Sequence, residues 1–267
     1  MIVFGSFDEY IDITKQAQQE KMRNINCYLF PKEIDLLIKK RCLFYVQNDT
    51  TLQIIAKRGR YFKVYFYGKE DFSFIKFDAQ NLPIITDISY SQDLKERDLK
   101  FREKLLSEGF AVNSSSSRMQ SKNMDFNIQN EAFYVERMNS EDVQAVMDIW
   151  NENFDAVKSL LYSKEEMLEN KEAIYVLKNH FGDVVGAMEI ILSSSTGIVQ
   201  HIAVKKTLQG RGLGSVLESF YINQCKTLGI GTLLLYTIDD DLNAQKFHKK
   251  FGFDFDGKHN IQFRYGG

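Results

Sequence analysis

The segment Gln209-Gly210-Arg211-Gly212-Leu213-Gly214 constrains the fold of this chain more than any other stretch. An alternating apolar run at 198–204 precedes it, and apolar residues recur at three- and four-residue steps over 213–228 after it. These patterns predict a strand, a glycine-rich turn and a helix. A helix start has unpaired N–H groups and a positive dipole end, and glycines let the backbone close around an anion. The segment is therefore either a phosphate-binding turn or a plain strand-to-helix connection.

Two common nucleotide-binding motifs do not fit this segment. The P-loop requires G-x-x-x-x-G-K followed by Ser or Thr, and the dinucleotide fingerprint requires G-x-G-x-x-G with an acidic residue about twenty positions later. The residues instead match Q/R-x-x-G-x-G/A, at Gln209, Gly212 and Gly214. This pattern resembles the acetyl-coenzyme A loop of the GNAT superfamily of N-acetyltransferases.

Two flanking segments carry the same resemblance. Ile202-Ala203-Val204, just before the loop, resembles the family's fourth strand, and Ala244-x-x-Phe247-His248-x-x-x-Gly252-Phe253 resembles its closing motif, A-x-x-F/L-Y-x-x-x-G-F. Periodicity over 131–267 predicts the order β-α-α-β-β-β-α-β-α-β, which is similar to one GNAT domain. The implied fold class is α+β with a mixed sheet: a GNAT acyl-coenzyme A N-acyltransferase fold with an additional N-terminal α+β domain.

The first half, residues 1–130, is predicted to form that additional domain. Its helix ending at Gly109 is similar to the later helix ending at Gly252, so this half is either a degenerate GNAT-like domain or an unrelated α+β domain. It lacks the Q/R-x-x-G-x-G pattern, so we do not expect coenzyme A to bind there. The Ser- and Asn-rich stretch 113–130 is either a flexible linker or a last strand with a short connection. Helices are predicted at 8–22, from Pro31 and at 92–108 (with Leu94 among its apolar residues), and strands at 43–46, 52–55, 61–67, 72–77 and 84–88.

The resemblance implies acetyl-coenzyme A as the acyl donor, with no metal. The pyrophosphate is expected on the N–H groups of the loop, with Arg211 adding charge unless it is a solvated arginine. The pantetheine arm is expected to pair with the strand before the loop, and an N–H near Val204 to stabilise the oxyanion. Asn243 is expected to contact the pantetheine, unless it or Asp241 simply caps the helix. Lys246 is expected near the adenosine phosphate, unless it is solvated. The cofactor contacts implied are Ile202, Ala203, Val204, Gln209, Gly210, Arg211, Gly212, Leu213, Gly214, Ser215, Asn243 and Lys246.

The residue expected to protonate the leaving thiolate departs from the family pattern. His248 stands where the family often has a tyrosine that protonates the leaving thiolate, so it is the candidate catalytic acid; the alternative is a helix-surface histidine without a chemical role. An imidazolium can donate such a proton near neutral pH. His201 and Glu189 are candidates for the base that accepts the amine's proton. Each has a structural alternative, as a packed strand histidine and an exposed strand carboxylate.

Charge and cysteine usage exclude several function classes. A net charge of −2 gives no reason to expect a nucleic-acid partner, and no apolar stretch is long enough to predict a membrane span. The three cysteines are widely spaced without a C-x-x-C pattern, which favours a reducing cytoplasm. The expected partner is a small-molecule or peptide amine, bound by a monomer or homodimer. The alternatives are a catalytically weak acyl-coenzyme A-binding regulatory module and a nucleotide-binding domain.

Overall fold

The computed structural model describes residues 1–93, 95–126, 128 and 130–266. The chain forms two compact units: Met1–Ser115 with the segment from Asn260 onward, and Ser116–His259. The division into domains at about residue 130 stays a prediction from the sequence. The mixed α+β architecture expected from the sequence is confirmed.

The first unit is an antiparallel sheet that ends in a parallel pair. Its strand order is β1-β3-β4-β5-β6, with β5 and β6 parallel at Phe62–Ile84 and Lys63–Ile85. Buried side chains of α1 and α2 share an apolar core with the strands, and those of α3 belong to a second core. The elements are β1 (Ile2–Val3), α1 (Phe7–Gln19), β2 (Arg23–Asn24), α2 (Pro31–Lys39), β3 (Leu43–Gln47), β4 (Thr51–Lys57), β5 (Phe62–Gly68), β6 (Ile84–Ser91), α3 (Glu96–Ser107) and β7 (Ala111–Ser121), which continues into the second unit.

One predicted strand of the first unit is wrong. Residues 72–77 are aromatic and apolar but form no strand. Their backbone groups are satisfied by side chains: the Ser73 N–H donates to Oγ1 of Thr51 at 2.9 Å, and Gln53 bonds both the N–H and the C=O of Ile75. Alternation in the sequence does not reveal that side chains replace a partner strand. The helix predicted from residue 92 begins at Glu96, and Leu94, which was assigned to it, lies outside the described residues.

The second unit has the element order that the sequence predicts. Its sheet runs β8-β9-β10-β11-β12-β7. The last strand of that order is Ser-rich, and it pairs antiparallel with β12 from Leu233–Ser121 to Ile238–Ser116. The first part of the stretch 113–130 is therefore a strand, as one of the two alternatives predicted, and not a flexible linker. The elements are β8 (Phe133–Arg137), α4 (Val143–Asn153), α5 (Lys164–Glu169), β9 (Ile174–Asn179), β10 (Val184–Leu192), β11 (Thr196–Val204), α6 (Leu213–Thr227), β12 (Thr232–Ile238), α7 (Leu242–Lys249) and β13 (Asp254–Tyr265).

Two apolar cores cover the faces of this sheet. One core joins α6 to strands β9 to β12, with the fully buried Tyr221 at its centre. The other joins α4 and α5 to the opposite face and contains Trp150. The α5 helix begins with the predicted capping box, because Ser163 and Glu166 satisfy each other's backbone N–H groups. The side chains of β11 alternate between the two cores, Val204 in one and Ala203 in the other.

Strands β11 and β12 are joined at their start and separate toward their carboxyl ends. They pair in parallel from Thr196–Thr232 to Val199–Leu235. On its other edge β12 pairs with β7 along its length, from Leu233 to Ile238. Beyond Val199, β11 stays with β10 after a bulge at Gln200. Tyr221 fixes the joined part, since its hydroxyl donates to the Gly197 carbonyl at 2.6 Å and accepts from the Leu234 N–H at 3.1 Å. The result is a gap bordered by the end of β11.

Candidate functional site

The glycine-rich loop joins the end of β11 to the start of α6. Gly210 and Gly212 have φ values of +76° and +80°, in the left-handed region that L side chains rarely adopt. A Cβ at either position would meet no atom within 4 Å, so backbone conformation rather than space requires glycine there. Gly212 is the N-cap residue of α6. The two glycines thereby turn the backbone so that the first N–H groups of the helix face outward.

The N–H groups of this turn form the predicted anion-binding feature. Among the hydrogen bonds of the described residues, none has its donor in the backbone N–H groups of residues 210–214. The first N–H of the helix start that is bonded belongs to Ser215, which donates to the Gly212 carbonyl at 3.0 Å. Loop residues 209–212 are exposed. Five consecutive free N–H groups at the positive end of a helix suit a phosphate or pyrophosphate.

The remaining cofactor candidates lie in the loop and on α7. Arg211 is exposed in the loop, and Asn243 and Lys246 are exposed on α7. The cap of α7 is Asp241, whose carboxylate accepts from the Ala244 N–H at 2.9 Å. The capping alternative therefore holds for Asp241 and leaves Asn243 exposed. Gly214 lies against α7, because a Cβ there would be 3.4 Å from the ring of Phe247.

The edge of β11 offers backbone groups to the gap. The Lys205 N–H donates to the Val185 carbonyl of β10 at 2.9 Å, so residues 203 and 205 face that strand. Successive backbone groups of a strand point to alternate edges, and those of Ile202 and Val204 therefore point away from β10. An extended chain can pair with such an edge. This is the place where the family resemblance implies that the pantetheine arm would bind.

Asn153 is a part of the site that the sequence did not indicate. It ends α4, and its Nδ2 donates to the Ile149 carbonyl at 2.8 Å and to the Val204 carbonyl at 3.2 Å. Its Oδ1 accepts from Nε2 of Gln209 at 2.7 Å. One amide thus connects α4, the free edge of β11 and the first residue of the loop motif. No motif spacing relates residue 153 to residue 209, because only tertiary contact brings them together.

His248 is buried rather than on the helix surface. Its side chain in α7 is 5% exposed, and its Nδ1 lies 3.4 Å from Oε2 of Glu218 in α6, which is fully buried. The pair is at ion-pair distance, but neither atom makes a hydrogen bond. The alternative of a histidine on the helix surface is therefore wrong about where the side chain lies. Its role as an acid stays a prediction.

The side chains of His201 and Glu189 contact each other. Nδ1 of His201 lies 3.0 Å from Oε2 of Glu189, and Nε2 lies 2.8 Å from the Ser159 carbonyl. The other carboxylate oxygen accepts from the Tyr162 hydroxyl at 2.7 Å. A carbonyl only accepts, so Nε2 carries a proton and both ring nitrogens are occupied. Glu189 is 1% exposed, which corrects the alternative of an exposed strand carboxylate.

Comparison with known proteins agrees with this geometry. Residues 143–253 match the model of the Acetyltransferase (GNAT) family. A protein of Bacillus subtilis (strain 168), provisionally named as a ribosomal protein bS18-alanine N-acetyltransferase, is 29% identical over 120 residues, which cover 44% of this chain and 78% of that protein. Residues 143–253, which match the family model, include the loop, the helix that follows it and the closing motif.

Two solved structures extend the likeness over more of the chain. A GCN5-related N-acetyltransferase from Sphaerobacter thermophilus has a TM-score of 0.56 at 11% identity and covers 90% of this chain and 86% of its own. A tandem GNAT protein from the clavulanic acid biosynthesis pathway has a TM-score of 0.55 at 8% identity and covers 81% of this chain and 79% of its own. At these identities the likeness concerns the fold alone.

The fold of the second unit agrees with the match of its residues to an acetyltransferase family model. Residues 143–253, in the C-terminal half of the chain, match the GNAT family. GNAT-fold neighbours cover most of the chain, so the likeness in fold also reaches residues of the first unit. None of the helices formed by the described residues has the length and apolar character needed to cross a membrane.

Proposed function

We propose that this protein is an N-acetyltransferase that moves an acetyl or short acyl group from acyl-coenzyme A to a primary amine. The amine belongs to a small molecule or a peptide, and it attacks the thioester directly in a ternary complex. The observation that carries the proposal is the row of free N–H groups at residues 210–214 beside the open edge of β11. A phosphate cradle next to a strand edge suits a ligand with a pyrophosphate and an extended amide arm.

The chain's own residues divide the work of binding and charge stabilisation. The N–H groups of the loop bind the pyrophosphate, with Arg211 and Ser215 beside them and Lys246 and Asn243 on α7. The edge groups of Ile202 hold the pantetheine arm, and Val204 follows on the same edge with its carbonyl bonded to Asn153. Bound acetyl-coenzyme A supplies the thioester. The Val204 N–H points into the gap and stabilises the oxyanion, a contribution of about 3 kcal/mol for one such donor.

Direct attack is favoured over an acyl-cysteine intermediate. Cys225 is the one cysteine of the second unit, and it is fully buried in the core around α6. Burial raises its pKa to about 12, so it stays a thiol at neutral pH. The amine therefore acts as the nucleophile itself. His248 donates the proton that the leaving thiolate gains, and we assign no side chain to the base because His201 and Glu189 are occupied.

The test is a turnover measurement with a panel of amines. The purified protein is incubated with acetyl-coenzyme A and a small primary amine, a lysine-containing peptide or a peptide that begins with alanine. The last is included because the Bacillus subtilis relative is named for an alanine substrate. We expect thiol release with at least one amine, together with the acetylated product by mass spectrometry. Absence of product with every class would contradict the proposed function.

A pair of glycine variants tests the cradle itself. Gly212→Ala places a side chain at φ +80°, whereas Gly229→Ala places one at φ +70° at the other end of α6, and neither new Cβ meets an atom within 4 Å. The strain is similar, of order 1–3 kcal/mol, but only Gly212 shapes the free N–H groups. We expect calorimetry to give a roughly tenfold weaker Kd for acetyl-coenzyme A in Gly212→Ala, since about 1.4 kcal/mol is a factor of ten. Gly229→Ala should bind like wild type, and equal weakening in both would refute the assignment.

A second candidate function is a regulatory module that binds acyl-coenzyme A without efficient catalysis. The observation that favours it is that both candidate bases are held in hydrogen bonds. It predicts a rise in Tm with acetyl-coenzyme A and no product with any amine. A nucleotide-binding domain would instead be stabilised by ATP or NAD and not by coenzyme A.

A further inference from the structure

Two buried ionisable side chains face each other behind the start of α6. Glu218 is fully buried and His248 is 5% exposed. Both carboxylate oxygens and the His248 Nδ1 are buried without a hydrogen-bond partner among the described residues. The shortest separation is 3.4 Å, between Nδ1 and Oε2. A small rotation of either side chain would bring these atoms within hydrogen-bond distance.

Among the described residues, the ring of His248 contacts two aromatic rings and one carboxylate. The rings of Phe247 and Phe253 pack against His248, and neither carries a charge. From α6, Glu218 is the acidic group that faces the ring. The next titratable group on that helix is Tyr221, whose hydroxyl is bonded to Gly197 and Leu234. A buried carboxylate is costly unless it is paired, and Nδ1 of His248 is the basic atom that the structure places beside Oε2.

This pair lies next to the candidate cofactor site. Glu218 follows Gly214 by one turn of α6, so the two residues share a face of that helix. Phe247, which precedes His248, contacts Gly214. Nδ1 is the ring nitrogen that lies beside Glu218, so Nε2 is the nitrogen that is left to contact another group. No described residue donates to or accepts from that nitrogen.

We propose that Glu218 is a positioning residue for His248, which holds the proton on Nδ1 and leaves Nε2–H to protonate the departing thiolate. The proposal rests on the proposed function. In that step the Nε2–H bond breaks and an S–H bond forms on coenzyme A. The electron pair of the broken bond stays on Nε2, and the imidazole becomes neutral with its remaining proton on Nδ1. The amine's proton, released to water, restores the imidazolium.

The first experiment reads the ring directly and does not need an acceptor. Nitrogen-15 NMR of histidine-labelled protein distinguishes the two neutral tautomers, and His248→Phe assigns the signal. We expect the neutral form of His248 in wild type to carry its proton on Nδ1. A wild-type ring with its proton on Nε2 would overturn the proposal without any further variant.

Matched variants separate positioning from general destabilisation. Glu218→Gln should abolish the preference for the Nδ1 proton, whereas Glu189→Gln, which disturbs the other buried Glu–His pair, should leave the His248 signal unchanged. An unchanged signal in Glu218→Gln, or an equal change in both variants, would overturn the proposal. Circular dichroism checks that each variant is folded.

Kinetics then separates this proposal from the proposed function. With an amine that wild type acetylates, Glu218→Gln should lower kcat about tenfold and move the alkaline limb of the pH–rate profile to lower pH, with KM for acetyl-coenzyme A unchanged. An unchanged rate and pH profile in His248→Phe would overturn the role of the pair and leave the proposed function intact. If wild type acetylates no amine, the proposed function fails, and the tautomer measurement still decides whether Glu218 holds the ring.

Discussion

At the scale of single residues, the second unit contains two buried Glu–His pairs with different environments. His201 has both ring nitrogens bonded, and its carboxylate partner also accepts from Tyr162. His248 has Nδ1 turned to Glu218, without a hydrogen bond among the described residues. The alternation of side chains along β11 indicated the face of the strand on which His201 lies. It did not indicate the Ser159 carbonyl, which lies 42 positions earlier in the chain and meets the ring only after folding.

The bonded pair should contribute to stability more than to chemistry. Tyr162→Phe removes a donor from the buried Glu189 carboxylate, and we expect the free energy of unfolding to fall by about 1–3 kcal/mol. Tyr134→Phe is the control, because that residue is 46% exposed in β8. Its effect should stay within about 0.5 kcal/mol. Urea denaturation measures both, and equal midpoints would show that the Tyr162 hydrogen bond contributes nothing.

At the scale of secondary-structure elements, the site depends on where β11 and β12 separate. The sequence predicted both strands, the loop and α6, because apolar period and glycine placement are local signals. It could not predict the hydrogen bond between Asn153 and Gln209 or the side-chain hydrogen bonds that replace a partner strand at 72–77. Both depend on residues that are distant in the sequence. The joined part of the pair is held by α6, through Tyr221 and close packing on Gly197.

That close packing gives a prediction at the start of β11. A Cβ on Gly197 would overlap Sγ of Cys225 and lie 3.2 Å from the Tyr221 ring, so Gly197→Ala should cost about 1–3 kcal/mol of stability. Gly231→Ala is the control just before β12, because its Cβ would meet nothing within 4 Å. Adding Cys225→Ala to Gly197→Ala should recover part of the loss. Additive losses in the double variant, read by thermal denaturation, would exclude the overlap as the cause.

At the scale of the whole molecule, the two units repeat one strand order. In each unit, three antiparallel strand pairs are followed by one parallel pair. The parallel pair is β5 with β6 in the first unit and β11 with β12 in the second. In each, a helix after that pair ends at a glycine with positive φ, Gly109 or Gly252. The sequence indicated this similarity from two helix ends, Glu108-Gly109-Phe110 and Phe251-Gly252-Phe253, each in a helix that follows a strand, and left an unrelated domain as the alternative. The shared order, with GNAT-fold neighbours over most of the chain, favours the GNAT-like interpretation.

The repeat is incomplete at the element that would bind coenzyme A. The connection between β11 and β12 contains the glycine-rich loop and α6, whereas the connection between β5 and β6, residues 69–83, contains no helix. Without a helix start there is no row of free N–H groups and no dipole end to bind a pyrophosphate. We therefore expect a single acetyl-coenzyme A per chain by calorimetry. Hydrogen exchange should show new protection at 205–214 on binding and none at 69–83. A second equivalent of bound ligand that persists in Gly212→Ala would show instead that the first unit binds the cofactor by a different arrangement.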